Sequence, residues 1–563
     1  MSPAKPLVSL LSLTALLSAS NYLAAEQKPS SFAQQCARLS ETQLQVDQKP
    51  VRITQAVYQD AETAGPNQPV LPAHCDIQGS FAERQGMDGQ SYAIKFHLRL
   101  PQDWNGGLFF QGGGGLNGHR GDAIGHAGQS TPALVRGYAV VSQDSGHDAA
   151  TNSDPQKGGE AAFGFDFEAR KNYAHASIVQ THQVASRLVN TFYGQTQKRS
   201  YFYGCSKGGQ EGMIAAQRYP ELFDGIVVVA PGISLPKAAI AQTWDTQAFA
   251  SLLPEGAKVR DLGKTFSDKD LNLVSEAFLA ACDKLDGIDD GMIQQFAACT
   301  KDRVYPALEE IQCVQGKNEN CLSSDQITAI KKSFAGPKNS RGEALYSAFP
   351  FDAGISDFGW RIWKLGNDQI PSLNVVLGMP ALSSLFSTPP KALEANPDWL
   401  LAQQLTFDFD KDAEKIFATS SQFPESPWQL MQATSPDLDK FKARGSKLIL
   451  AHGVSDPVFS VLDSIAWWNA VDERYQGKAQ DFARLFAVPG MGHCQGGPAT
   501  DQFDALSALI DWVENARAPE SLNAKAGPAS PWPGRERQLC VYPAALTYEP
   551  AADGKADGQF VCR

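Results

Sequence analysis

Beyond its first 25 residues this 563-residue chain has no window long and apolar enough to cross a bilayer, so no membrane is expected as a partner of the mature protein. It is also short of positive charge. Lys and Arg number 49 against 61 Asp and Glu, a formal net charge of −12, which argues against nucleic acid or an anionic membrane surface as a partner. Internal repeats and low-complexity tracts are missing, and with 43% apolar and 20% charged residues the composition is that of a globular protein handling small molecules. The length exceeds what one core usually serves, so two or more domains are expected, with a monomer as the default assembly.

Residues 1–25 carry Lys5, the apolar run LVSLLSLTALL and small residues ending in Ala24 and Ala25. That is the layout of a secretory signal peptide, and its apolar run falls well short of the ~20 residues of a spanning helix. The first cysteine is Cys36, so no lipobox follows and the mature protein is expected to be secreted or periplasmic. An oxidising compartment suits the even count of ten cysteines, enough for five disulfides. Proximity along the chain favours Cys36 with Cys75, Cys282 with Cys299, Cys313 with Cys321 and Cys540 with Cys562, leaving Cys205 and Cys494 as a long-range couple.

Residues 51–58 and then Ile94, Phe96, Leu98 and Leu100 alternate with polar positions, as half-buried strands do. Short apolar strands at 108–110 and 138–141 follow, then a 3.6-residue recurrence through Ala174, Ile178, Ala185, Leu188 and Phe192 that predicts a helix packed on a sheet. Strand and helix alternate on to residue 230, which implies an α/β fold with a mainly parallel sheet covered on both faces. From about 233 to 436 that rhythm stops, and it resumes with the strand KLILA at 447–451, the strand at 482–488 and a helix carrying Phe503, Leu506, Ile510 and Val513. The expected organisation is a core in two parts, 26–232 and 437–563, interrupted by a lid domain at 233–436.

The sequence YFYGCSKGG at 201–209 places Ser206 in a Gly-x-Ser-x-Gly spacing. A nucleophile elbow needs this spacing, because only glycine-sized neighbours let a strand turn so sharply into a helix. Asp456 follows the strand at 447–451, and His493 follows the strand ending at Val488. Serine, acid, histidine is the chain order of α/β-hydrolase triads, with acid and base on loops past the C-terminal ends of strands. In those roles His493 takes the Ser206 proton and Asp456 orients the imidazole. The oxyanion hole is expected from the backbone amides of Lys207 and Gly113. The run Gly112 to Gly115 lacks the Lys and Ser/Thr of a phosphate-binding P-loop. If Ser206 and His493 touch, Cys205 and Cys494 lie close enough to bond.

Cys205-Ser206, Asp456 and His493-Cys494 form a CS-D-HC pattern that resembles the tannase and feruloyl esterase family, and within it the terephthalate-monoester hydrolase branch. The likeness covers most of the mature chain, including 109–118, 231–236, 386–390, 452–456 and 488–497. It implies an α/β-hydrolase core with a large inserted lid, hydrolysis of small aromatic esters, and a calcium ion in the lid. The implied calcium ligands are the side chains of Asp283, Asp286 and Asp290 and the carbonyls of Ile288 and Met292. This carboxylate-rich loop is the kind a hard cation wants, although it is not an EF-hand. Trp363, Phe386 and His452 match substrate-contacting positions, while Trp360 is a further aromatic wall; the alternative is that these aromatics are lid core and that His452 pins the acid loop. One departure stands out. The branch uses a lid arginine to hold the substrate's free carboxylate, and the matching stretch at 371–381 (PSLNVVLGMPA) has no basic residue, so Arg361 would serve only if the lid folds differently there. A catalytically idle binding protein and a serine peptidase are the competing readings.

Overall fold

The structure is a computed structural model that describes residues 31–63, 69–551 and 558–563; the expected signal peptide at 1–25 lies outside the described residues. Its centre is a ten-stranded sheet built from β1 (Leu44–Val46), β2 (Lys49–Gln59), β3 (His74–Gln85), β4 (Ser91–Pro101), β5 (Gly107–Gln111), β6 (Ala139–Gln143), β7 (Arg199–Cys205), β8 (Gly225–Val229), β9 (Lys447–Gly453) and β10 (Ala483–Val488). The spatial order is β1-β2-β3-β4-β6-β5-β7-β8-β9-β10. From β6 onward every pairing is parallel, whereas the four pairings from β1 to β6 are antiparallel. The expected mainly parallel sheet is therefore a mixed one. Its antiparallel half comes from the alternating strands β2 to β4, of which β3 and β4 are joined by the five-residue turn 86–90.

The helices that matter for the site are α1 (Ser177–Tyr193), α2 (Lys207–Arg218), α3 (Leu235–Ala250), α4 (Asp268–Cys282), α5 (Phe358–Lys364), α6 (Val461–Arg474) and α7 (Ala505–Asn515). Successive residues of a strand face opposite sides. Thus Leu108 and Phe110 of β5, Phe202 of β7 and Leu448 and Leu450 of β9 pack with Leu188 of α1, Met213 of α2 and Trp468 of α6. Phe109, Tyr201, Ile449 and Phe486 point the other way, onto Leu506, Leu509 and Trp512 of α7. Each such side chain, taken fully out of water, contributes about 1.5–3 kcal/mol, so burial on both faces holds the parallel half of the sheet firmly.

Residues 230–446 lie between β8 and β9 and add no strand to the sheet. Two local disulfides staple this insertion, Cys282–Cys299 and Cys313–Cys321. Its apolar side chains do not form a sealed core of their own: Phe278, Ile330 and Trp360 belong to the same buried cluster as Ile226 and Leu450 of the sheet. The remaining disulfides are Cys36–Cys75, Cys205–Cys494 and Cys540–Cys562, so all ten cysteines pair as their positions along the chain favoured. No helix among the described residues is long and apolar enough to cross a membrane.

Candidate active site

Strand β7 ends at Cys205 and α2 begins at Lys207, leaving Ser206 alone in the turn. Its backbone sits at φ 61°, ψ −120°, a region that costs a non-glycine residue on the order of 1–3 kcal/mol. The surroundings hold it there. Ser206 donates its N–H to the Val229 carbonyl at 3.0 Å and its carbonyl accepts from Gln210 at 3.0 Å. A Cβ on Gly204 would lie 2.2 Å from the Gly208 carbonyl oxygen, and one on Gly208 would lie 2.4 Å from that of Gly113, so both flanking positions need glycine.

Asp456 lies three residues past β9 and His493 five residues past β10, which puts both on the rim where β7 presents the serine. His493 Nε2 is 2.8 Å from Ser206 Oγ, and His493 Nδ1 is 2.8 Å from Asp456 Oδ2. The other carboxylate oxygen, Oδ1, accepts the N–H groups of Val458 and Phe459 at 2.8 and 3.1 Å. Burial pushes the Asp456 carboxyl up, yet the charge and hydrogen bond of His493 together with the neighbouring His452 outweigh it and hold the group well below the usual carboxylate range. Ser206 and His493 remain half-buried and open to a ligand, whereas Asp456 is fully enclosed. Such a line can take a proton from a hydroxyl, hold the resulting charge and return the proton to a leaving group.

Two rings border the imidazole. Trp363 of α5 and Phe459 stand edge-on to His493 with centroids 5.6 and 5.5 Å away. Phe386 is buried among Leu116, Leu235 and Phe459 in the cluster against which Trp363 packs. Trp360 is turned into the core against Phe249 and does not serve as a wall. His452, expected to contact substrate, is fully enclosed: one ring nitrogen meets Ser464 Oγ at 2.8 Å, and the other meets the Phe459 carbonyl at 3.0 Å and lies 3.5 Å from Asp456 Oδ2. It therefore braces the acid from behind. Arg361 is likewise unable to reach a substrate, since its guanidinium donates to the carbonyls of Gly263 and Phe266.

The oxyanion hole departs from expectation at Gly113. Its N–H donates to Glu211 Oε2 at 3.1 Å, while Glu211 Oε1 accepts Lys207 Nζ at 2.9 Å and Asn117 Nδ2 at 3.0 Å. Lys207, whose side chain is also buried, lies 4.4 Å from the centre of the Tyr173 ring. Glu211 thus ties the glycine loop to the first turn of α2, and the Gly113 amide is turned toward it. The Lys207 N–H is the first of the orphan amides at the α2 N-terminus, and the Gly114 amide has no acceptor among the described residues. A Lys and a Glu four apart just past the elbow were visible in the sequence, but the pattern ordinarily marks a solvated helix face.

The acidic loop after α4 gathers the carboxyls of Asp283, Asp286 and Asp290. Asp283 and Asp286 are buried, and Asp290 Oδ1 is buried without a partner. Burial and the neighbouring charges of Asp290 and Asp283 push Asp286 up to about 6. Mutual repulsion with one orphaned oxygen is what a divalent ion would relieve, so the residues fit. Asp290 has only Oδ1 to give, because Arg537 holds Oδ2 at 2.6 Å and Arg535 donates to its carbonyl at 2.7 Å. Among the described residues no cluster of three or more His, Cys, Asp or Glu forms a metal site by side chains alone.

Residues 75–562 match the family model described as tannase and feruloyl esterase. A mono(2-hydroxyethyl) terephthalate hydrolase of Piscinibacter sakaiensis is 42% identical over 532 residues, 90% of this chain and 87% of that protein. A probable feruloyl esterase of Arthroderma benhamiae is 30% identical over 490 residues, covering 83% and 82%. In fold, a crystal structure of an esterase from Aspergillus oryzae superposes with a TM-score of 0.72 at 23% identity over 94% of this chain and all of that one. This chain belongs to the tannase and feruloyl esterase family and is a carboxylic ester hydrolase.

Proposed function

We propose that the protein is an exported serine esterase that cleaves esters of aromatic carboxylic acids through an acyl-enzyme on Ser206. The observation that carries this reading is the unbroken line Ser206, His493, Asp456, with both contacts at 2.8 Å and two aromatic rings packed edge-on to the imidazole. The names of the relatives, a feruloyl esterase and a terephthalate monoester hydrolase, support an aromatic acyl group. Five disulfides support export to an oxidising compartment.

In this mechanism Ser206 Oγ attacks the ester carbonyl carbon as its proton passes to His493 Nε2. Charge gathers on the carbonyl oxygen, where the Lys207 N–H and a second backbone amide from the glycine loop stabilise it. The imidazolium, steadied by Asp456, protonates the leaving alkoxide. A water then repeats the sequence on the acyl-enzyme, releasing the acid and restoring Ser206. The insertion supplies the wall for the acyl group through Trp363 and Phe386.

A panel of methyl ferulate, methyl gallate, a terephthalate monoester and a short peptide tests the reading. Neutral aromatic esters are expected to be cleaved and the peptide left intact; cleavage of the peptide alone would overturn it. The terephthalate monoester is expected to give a kcat/KM tenfold or more below that of the corresponding dimethyl ester. The stretch 371–381 offers its carboxylate no cation and Arg361 is already bonded, so a charge-assisted contact of about 1.5–3 kcal/mol is missing.

We also propose that calcium is held by Asp283, Asp286, Asp290 Oδ1 and the carbonyls of Ile288 and Met292, in a structural role. When bound it neutralises the repelling carboxylates of this loop. Chelation is expected to lower the melting temperature, by on the order of 3 kcal/mol of stability relative to free calcium at a hundredfold above its dissociation constant, and added calcium to restore it. An unchanged melting curve, with no calcium found by elemental analysis of the purified protein, would remove the ion from the account.

A further inference from the structure

A lid carboxylate outside the triad reaches both loops that carry it. Asp352 opens the single turn Ala353–Ser356 of the insertion and is 2% exposed. Its Oδ2 accepts the hydroxyl of Ser455 at 2.7 Å and the N–H of Gly490 at 2.6 Å. Ser455 immediately precedes the acid, and Gly490 stands three residues before the base. The clasp is reinforced from the same turn, where the Gly354 N–H donates to Ser455 Oγ at 2.9 Å. The approach is so close that a Cβ on Gly354 would lie 2.4 Å from the Ser455 Cβ and 2.8 Å from the Gly490 carbonyl oxygen. The turn is fixed in its own right: the Ala353 carbonyl accepts Ser275 Oγ of α4 at 2.8 Å.

We infer that Asp352 is a positioning residue for ester hydrolysis, a single lid oxygen that sets the acid loop and the base loop relative to one another. The inference rests on the triad reading above and deepens it, because it makes the insertion part of the catalytic frame as well as a substrate wall. One oxygen receives both donors, so what is required is an acceptor at that point and not a charge. The other oxygen, Oδ1, is buried without a protein partner. Asp352 lines a small cavity with room for about one water, together with Ser333, Lys364, Ser455 and Asp456. Burial pushes Asp352 up to about 6, and the cation lining this cavity, Lys364, is already paired with Asp245, so the contacts of Asp352 to the two loops are hydrogen bonds and not an ion pair.

Two substitutions separate positioning from simple stability. Asp352→Asn keeps an oxygen where both donors point; Asp352→Ala leaves the Ser455 hydroxyl and the Gly490 N–H buried and unpaired. A displacement of the triad by about 1 Å can cost on the order of a hundredfold. Asp352→Ala is therefore expected to lower kcat by roughly ten- to a hundredfold with KM within about twofold. The far-downfield proton resonance of the His493 to Asp456 hydrogen bond should weaken or move upfield. Asp352→Asn should restore both. Wild-type kcat in folded Asp352→Ala would overturn the inference, as would an Asp352→Asn protein as impaired as the alanine variant. Should Asp352→Ala fail to fold, Ser455→Ala, which removes one of the two bonds, must lower kcat with the same resonance change; a wild-type kcat there overturns it equally. Persistence of full activity in Ser206→Ala is a different result, because it would strike the triad itself.

Discussion

Ser206→Ala is expected to lower kcat for a p-nitrophenyl ester by on the order of 10⁴ to 10⁶, leaving only what binding and the oxyanion donors supply. The size follows from how the three groups act. His493 has one ring nitrogen 2.8 Å from the serine and the other 2.8 Å from Asp456, so removing the hydroxyl leaves the base with nothing to deprotonate. His493→Ala is expected to cost about as much, and the double variant scarcely more than either, since residues that work as one unit do not add. The fold should be untouched. Alanine inherits the strained φ of 61°, and the backbone bonds that hold the turn, from Ser206 N–H to Val229 and from Gln210 to the Ser206 carbonyl, need no side chain. An unchanged melting temperature beside lost activity is the predicted pair. Retention of wild-type turnover would mean that another nucleophile does the work.

What the chain disclosed in advance divides along a physical line. The elbow was legible because Gly204 answers to a contact four residues on, with Gly208, and the order of serine, acid and base was legible because each follows an apolar strand. Side chains whose role depends on distant partners were not. Asp352 meets Ser455 across 103 positions and Gly490 across 138, and no local pattern marks either. Trp360 and Trp363 sit one helical turn apart on α5, yet one enters the core and the other faces the imidazole, a choice made by how that helix docks. His452 matched a pocket position by sequence but is enclosed because Ser464 of α6 and the Phe459 carbonyl satisfy its two nitrogens. Gly113 shows the same limit. Its place in a glycine loop was plain, but the direction of its N–H is set by Glu211, 98 positions later.

The second large effect is expected from the disulfide that joins the residue before the nucleophile to the residue after the base. Cys205 and Cys494 are 289 positions apart, the longest separation of the five bonds, while Cys313 and Cys321 are 8 apart. If cross-links act by restricting the unfolded chain, removing the long one as Cys205→Ala with Cys494→Ala should cost on the order of 5–6 kcal/mol, and about 3 kcal/mol more than removing the short one. The two should also part in catalysis. Cys494 holds a positive φ of 69° directly beside His493, so without its anchor the base loop can relax away from Ser206, and a fall in kcat of roughly ten- to a hundredfold is expected. The Cys313–Cys321 pair lies in the insertion next to a residue at 95% exposure, Val314, and its loss should leave kcat of the folded protein unchanged. Thermal melts and turnover measured on both double variants without reductant decide the matter. A Cys205, Cys494 double variant with the melting temperature and kcat of the parent would show that packing around β7 and β10 alone holds serine and histidine together.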